Sequence, residues 1–502
     1  MRKSFLPVVL LLSSVGISAQ VTLPKVLSSH MVIQRDLPVH VWGDAPPGRP
    51  VTVSFRDETR GTEAGPTGHW SVYLKPGAAG GPFQLTVKAV TSATETAPQA
   101  SPITLDDIMV GDVWVASGQS NMEFPLSRAN TAAQDLPAAT NPQIRLLMIR
   151  KRSSDYAMPD ADTDGWTLSN PDTAKDFSAV AWYFARDIAS RQHVTIGLID
   201  ATWGGTVGEA WVRLTALGED PALAPIFVAR GKMTEKAADA VAEEKDEQRQ
   251  IAEAKAAGKP IPQFPWHPPL NSWGPGLLWN GMIAPLVPLP IRGVIWYQGE
   301  SNSALARVHS YDRVMRTLIE DWRHEWGIGD FPFLYVQISN FTSTPNEDWA
   351  TLREQQVRTL ALRNTAMAVT IDIGNPTDVH PTDKLDVGLR LARAARALTY
   401  GENVEFFGPM FRQATPEGNS IRTWFDHGQG LKAKGGFVTG FEIAGQDERW
   451  VSASATIDGS TVVASSPDVS APVYVRYGWA NSPQCNLFNS EDLPASPFSS
   501  ER

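Results

Sequence analysis

From residue 106 onward the chain alternates short, wholly apolar runs with stretches that carry an apolar residue every third or fourth position. The runs 194–200 (VTIGLID), 294–297 (VIWY), 333–338 (FLYVQI) and 366–373 (AMAVTIDI) read as buried strands. Between them, 309–326 sets Tyr311, Val314, Met315, Leu318, Ile319 and Trp322 at helical spacing, and 349–363 and 385–399 are further helix candidates. Buried strands that alternate with amphipathic helices fit a mostly parallel sheet with helices on both faces, which makes the central region α/β.

Both flanks follow another pattern. Residues 20–105 alternate apolar and polar positions between Gly/Pro turns, as in "PVHVWGDAPPGRPVTVSF", "HWSVYL" and "FQLTVKAV", and predict a small β-rich sandwich module. The pattern returns over 402–502 with "GFVTGFEIAG", "WVSASATIDGSTVVASS" and "APVYVRYGWA"; these strands are expected to complete the sheet system begun at the N-terminus. The catalytic candidate is then 106–401, with an insertion at about 214–275. Within that insertion 234–258 is rich in Ala, Glu and Lys and predicts a solvated helix, followed by the Pro-rich "GKPIPQFPWHPP". No fixed-period repeat is present.

Residues 1–19 have a basic start (Arg2, Lys3), an apolar run and small residues up to Ala19, the layout of a signal peptide. The apolar run is shorter than the ~20 residues needed to cross a bilayer. The expected location is therefore periplasmic or extracellular, with no membrane span after cleavage. The formal net charge of -10, with no Lys/Arg cluster, argues against a nucleic-acid partner. Cys485 is the only cysteine, which excludes an intramolecular disulfide and a cysteine-based zinc site, and no cluster with metal-ligand spacing appears.

Ligands of open α/β sheets bind beyond the carboxyl ends of the strands. Four strand ends carry chemistry here: "SGQSN" with Ser120, "ATWGGT" with Gly204 and Gly205, "QGESN" with Gln298, Glu300 and Asn302, and "GNPTDVHP" with Asp378 and His380. Taken singly, each has a plain explanation. A serine in a glycine turn is usually a turn residue, and two glycines are a turn signal. Asn302 can cap the next segment, and Asp378–His380 can be a surface pair before a helix opened by Pro381. Taken together they supply what acyl transfer needs: a hydroxyl, a base, a carboxylate to orient the base, and donors for an oxyanion.

The phrases "GQSNM", "WGGT", "WYQGESN" and "DVHP" resemble the sialate O-acetylesterase-like carbohydrate esterases of the SGNH hydrolase superfamily. The resemblance is close to the large acetylxylan and xyloglucan-oligosaccharide esterase branch, carbohydrate esterase family twenty. "VLSSHMVIQRDLPVHVWGDAPPG" is similar to that family's leading β-module and "LLWNGMIAPLVPLPIRGVIWYQGESN" to its central segment, so the resemblance covers most of the chain beyond the signal peptide. It implies an SGNH-hydrolase-like, flavodoxin-like parallel sheet, removal of O-acetyl groups from acetylated oligosaccharides, and no cofactor.

The resemblance also implies roles. Ser120 is the nucleophile, His380 the general base and acid, and Asp378 the acid partner. The N–H groups of Ser120 and Gly205, with Asn302, line the oxyanion hole, and Gly204 is a near rival of Gly205. One departure stands out: the superfamily usually spaces its acid and base as Asp-x-x-His, whereas Thr377 occupies that position and Asp378 lies two before His380. Gln119, Gln298, Glu300 and Trp203 are expected around the substrate, with Glu300 also expected to hold its loop by hydrogen bonds. Of Trp203, Trp211, Trp266, Trp273, Trp279 and Trp296, one or two are expected at the site and the rest in the core. Plant-type xyloglucan or xylan fragments are the expected substrates. O-acetylated sialic acid is the alternative ester, and a non-catalytic glycan-binding protein is the alternative class.

Overall fold

The computed structural model describes residues 20–90 and 101–501; the expected signal peptide, 1–19, lies outside the described residues. Its spine is one strand, Ile103–Gly118. The first half of this strand pairs parallel with Val32–Gln34 and antiparallel with Gly80–Ala89, inside the N-terminal β-region. The second half pairs parallel with Ile196–Thr202 on one side and Gly293–Tyr297 on the other. Residue 106, where the sequence pattern changes, lies within this strand, which does not end there and changes partners only at Gly111–Asp112.

The central sheet has the order Thr365–Val369, Phe333–Gln337, Gly293–Tyr297, Ile103–Gly118, Ile196–Thr202, Asn141–Met148, Thr167–Ser169. All neighbours are parallel except the last pair. Parallel strands bring their carboxyl ends to a single edge, so the four segments singled out in the sequence leave the sheet on one side. Helix Ala179–Gln192 packs on Leu385–Leu398, and Tyr311–Trp326 packs on Trp349–Thr359, so that helices cover both faces of the α/β sheet. Tyr311–Trp326 buries Tyr311, Val314, Met315, Leu318, Ile319 and Trp322, the positions given by the helical spacing. Trp211, Trp279, Trp296, Trp322 and Trp326 interlock ring against ring beneath the sheet, with centroids 5.7–6.4 Å apart.

Three expectations are corrected. The run 366–373 is strand only over Thr365–Val369, because Thr370 turns its hydroxyl onto the Gln337 carbonyl. Pro381 does not open the next helix; that helix begins at Leu385, where Asp383 accepts the Asp386 N–H at 3.1 Å. The C-terminal strands do not complete the N-terminal sheets. Met410–Glu417, Ser420–Asp426, Thr461–Ser465 and Ser454–Asp458 form one antiparallel sheet, and Phe441–Ala444 and Tyr474–Tyr477 anchor another. Their inward-facing Ile421, Ile443, Val462, Val475, Tyr477 and Phe498 make a separate apolar core. The insertion carries helices Ala224–Glu235 and Ala237–Ala256; the second buries no residue, as its composition predicts. Among the described residues no helix is long and apolar enough to cross a membrane.

One fully buried side chain joins the C-terminal β-region to the central one. Arg353 donates to the carbonyls of Ile338 and Ser339 at the end of a central strand, and to those of Ala480 and Asn481 beyond it. Burial lowers its pKa to about 10, so it keeps its charge at neutral pH. Replacing it with methionine leaves four carbonyls without that donor, each costing ~1–3 kcal/mol when buried. Arg353→Met is expected to lower the first urea-unfolding midpoint and to expose the C-terminal region to protease; a midpoint equal to that of the wild type would remove Arg353 as the joint.

Candidate active site

The nucleophile candidate sits on a turn that only glycine can precede. Gly118 has φ +132°, and a Cβ there would lie 2.2 Å from the Tyr297 carbonyl oxygen on the neighbouring strand. The chain leaves the sheet at that point, Gln119 N–H donates to the same carbonyl at 2.9 Å, and Ser120 opens the short helix Ser120–Glu123. Ser120 stays partly exposed.

Across the sheet edge, the loop after Thr365–Val369 brings His380 to it. His380 Nε2 lies 2.8 Å from Ser120 Oγ, although 260 residues separate the two. Asp378 is beside the imidazole but not bonded to it: its Oδ1 is 3.8 Å from Nδ1, accepts the His380 backbone N–H at 2.9 Å, and belongs to a side chain that is 54% exposed. The carboxylate thus stands at ion-pair distance, looser than a ring hydrogen bond.

Asn121 joins these loops. Its Nδ2 donates to the Val379 carbonyl at 3.0 Å and to Glu300 Oε1 at 2.5 Å, while its Oδ1 accepts from Lys384 Nζ at 2.5 Å. Lys384 is fully buried, with its ammonium over the rings of Phe124 and Tyr297. Burial brings the Lys384 pKa down to about 7 and pushes the Glu300 carboxyl up. Burial also lowers the His380 pKa, and the charge on Lys384 adds to the shift; Asp378 and Glu123 oppose it and Arg128 supports it.

The two glycines differ. Gly204 donates its N–H to the Glu123 carboxylate, which also pairs with Lys151. Gly205, at φ +72°, accepts from Trp273 Nε1 through its carbonyl, and its own N–H meets no acceptor among the described residues. A Cβ on Gly204 would come within 3.2 Å of Ser120 Cβ, so this turn abuts the hydroxyl. Asn302 is buried: its Oδ1 accepts from Gly208 N–H and Gln298 Nε2, and its Nδ2 donates to Glu209 at 2.9 Å. Glu209 in turn pairs with Arg307.

Gln119, Gln298 and Glu300 turn their side chains inward, at 3%, 0% and 8% exposure. Gln119 Oε1 accepts from Gln298 Nε2 and from the N–H groups of Gly299 and Ser301, which fastens the serine turn to the next one. Of the four residues expected at the substrate, only Trp203 keeps partial exposure. Sequence reasoning missed Asn121, Lys384, Glu123, Glu209 and Arg307. Asn121 and Glu123 stand one and three residues after Ser120, so that helical spacing offered a clue; nothing local marks the others. Among the described residues no group of three or more His, Cys, Asp or Glu could hold a metal ion.

Known proteins match the chain over most of its length. The model for the carbohydrate esterase family of sialic acid-specific acetylesterases matches residues 269–397. The chain is similar to a carbohydrate acetylesterase of known crystal structure from Xanthomonas citri, at 37% identity and a TM-score of 0.82, covering 96% of this chain and 100% of that one. It is 28% identical to the sialate O-acetylesterase of Mus musculus over 94% of this chain and 93% of that protein. The same enzyme of Homo sapiens is 28% identical, covering 94% and 91%.

Because burial and Lys384 both disfavour its cation, the His380 ring is expected to titrate below the ordinary histidine value of about 6.5. Lys384→Met removes one of those two effects and is expected to move the midpoint upward in an NMR titration of the ring. An unchanged midpoint would show that Lys384 does not act on this imidazole.

Proposed function

The chain belongs to the carbohydrate acetylesterases, with a segment that matches the sialic acid-specific acetylesterase family, and from that premise we propose that it deacetylates plant-type oligosaccharides, xyloglucan or xylan fragments, through a serine-bound acetyl intermediate. The observation that carries this reading is the 2.8 Å contact between Ser120 Oγ and His380 Nε2 at the carboxyl edge of the sheet. That contact also disfavours a purely glycan-binding role. O-acetylated sialic acid is the second reading, supported by the curated relatives that act as sialate O-acetylesterases.

In the proposed reaction His380 takes the Ser120 proton as Oγ attacks the ester carbonyl. The N–H groups of Ser120 and Gly205 receive the oxyanion. Asn302 adds its second amide hydrogen, the first being held by Glu209. The intermediate collapses as His380 returns the proton to the departing sugar hydroxyl. Water, deprotonated by the same imidazole, then releases acetate and restores Ser120. Asp378 stabilises the transient imidazolium across its 3.8 Å gap. Export belongs to the same reading, supported by the composition of residues 1–19.

Ser120→Ala is expected to lower acetate release from 4-nitrophenyl acetate by at least ~10³-fold, and undiminished release would sink the serine mechanism. The kcat/KM of the wild type should fall only as pH drops below about 6.5, where the depressed His380 finally protonates; a profile flat to pH 4 would remove His380 as base. Asn302→Ala should reduce kcat by ~10²–10³ with KM nearly unchanged, and a change confined to KM would take it out of the oxyanion site. Acetate release from acetylated xyloglucan and xylan fragments, set against O-acetylated sialosides, decides between the two substrates.

A further inference from the structure

We propose that Trp266 is a sugar-stacking platform beside the esterase site, presented by the insertion to the pyranose ring that neighbours the acetylated residue. The inference rests on the esterase reading above and deepens it, by assigning the insertion a part in choosing the substrate.

The indole of Trp266 is 68% exposed. The buried tryptophans Trp211, Trp279, Trp296 and Trp322 are accounted for by core packing. Trp266 is not: its ring meets Trp273 and the Gly205 turn on one side and keeps most of its surface in water. Its position gives that surface a purpose. Trp266 Cζ2 lies 3.0 Å from where a Cβ on Gly205 would stand, and Gly204, the preceding residue, makes the equivalent approach to Ser120 Cβ at 3.2 Å. The ring thus stands against Gly205, one residue along from the glycine that abuts Ser120.

The segment carrying it is tied down on both sides. His267 Nε2 pairs with Glu247 Oε2 on the insertion helix at 3.0 Å, and the raised pKa of this histidine follows from that partner. Ser272 Oγ donates to the Pro269 carbonyl at 2.7 Å, and Trp273 Nε1 donates to the Gly205 carbonyl at 2.6 Å. Trp273 has Arg307 over its ring at 4.8 Å and Trp266 at 6.2 Å between centroids. Pro262, Pro265, Pro268 and Pro269 restrict the backbone around the indole. An aromatic face held in place loses little conformational freedom when a ring settles on it. The C–H faces of a pyranose match the negative face of the indole, whereas a small aryl acetate has no neighbouring sugar to place there.

The test compares Trp266→Ala and Trp266→Phe with the wild type on two esters: 4-nitrophenyl acetate, and each acetylated oligosaccharide or sialoside that the wild type deacetylates. Trp266→Ala is expected to lower kcat/KM on the glycan by about 3- to 10-fold, chiefly through KM. It should leave the aryl acetate unchanged, and Trp266→Phe should recover most of the glycan activity. Equal glycan kinetics in Trp266→Ala and wild type, or a parallel loss on both esters, overturns the platform while leaving the esterase reading intact. A wild type that cleaves the aryl acetate but no acetylated glycan overturns the substrate reading and the platform together.

Discussion

The side chain of Asn121 is the contact on which the arrangement of the site depends. It receives a buried ammonium at its oxygen and gives its amide hydrogens to a buried carboxylate and to the carbonyl before His380. Lys384 and Glu300 would each be costly inside the protein without a partner, by several kcal/mol. An amide between them answers both, with its dipole aligned from cation to anion. Because Asn121 directly follows Ser120 and Val379 directly precedes His380, the neighbour of the hydroxyl grips the neighbour of the imidazole. The spacing between Oγ and Nε2 is therefore set by backbone attachment rather than by the freedom of two side chains.

That grip works only because the parallel sheet has already delivered the loops to one edge. Gly118 allows the long strand to peel away while its backbone still touches Tyr297. Gln119 then ties the serine turn to the Gly299–Ser301 turn, and Asn302 carries the connection on to Gly208, Glu209 and Arg307. On the far side Trp273 holds Gly205 by its carbonyl. Glu123 occupies the N–H of Gly204, so that the two adjacent glycines have different partners and only Gly205 retains a donor to offer.

The parts of this design written in local pattern were legible in the sequence. Apolar runs located the central strands, helical spacing located Tyr311–Trp326, and the rule of carboxyl ends brought Ser120, the glycine pair, Asn302 and His380 to one rim. What escaped were pairings across hundreds of residues. Lys384 looks like an ordinary surface lysine near a helix start until the fold buries it against Asn121. Gln119 and Gln298 look like substrate groups in exposed turns, yet they bond to each other. The C-terminal strands carry the same alternation as the N-terminal ones, and alternation says which face is buried without saying against what; Arg353 and a separate apolar core supply that answer.

Of the charges that act on His380, Lys384 and Asp378 weigh most and oppose each other, and their surroundings decide which prevails. Asp378 is more than half exposed, where water screens its attraction for the imidazolium. Lys384 is buried, where its repulsion is little screened. The lysine charge and burial together lower the pH at which the imidazole protonates, and so favour the neutral form that a base requires. A base must be neutral at rest and able to become a cation during attack. Burial and Lys384 favour the first demand, and Asp378, across its 3.8 Å gap, answers the second.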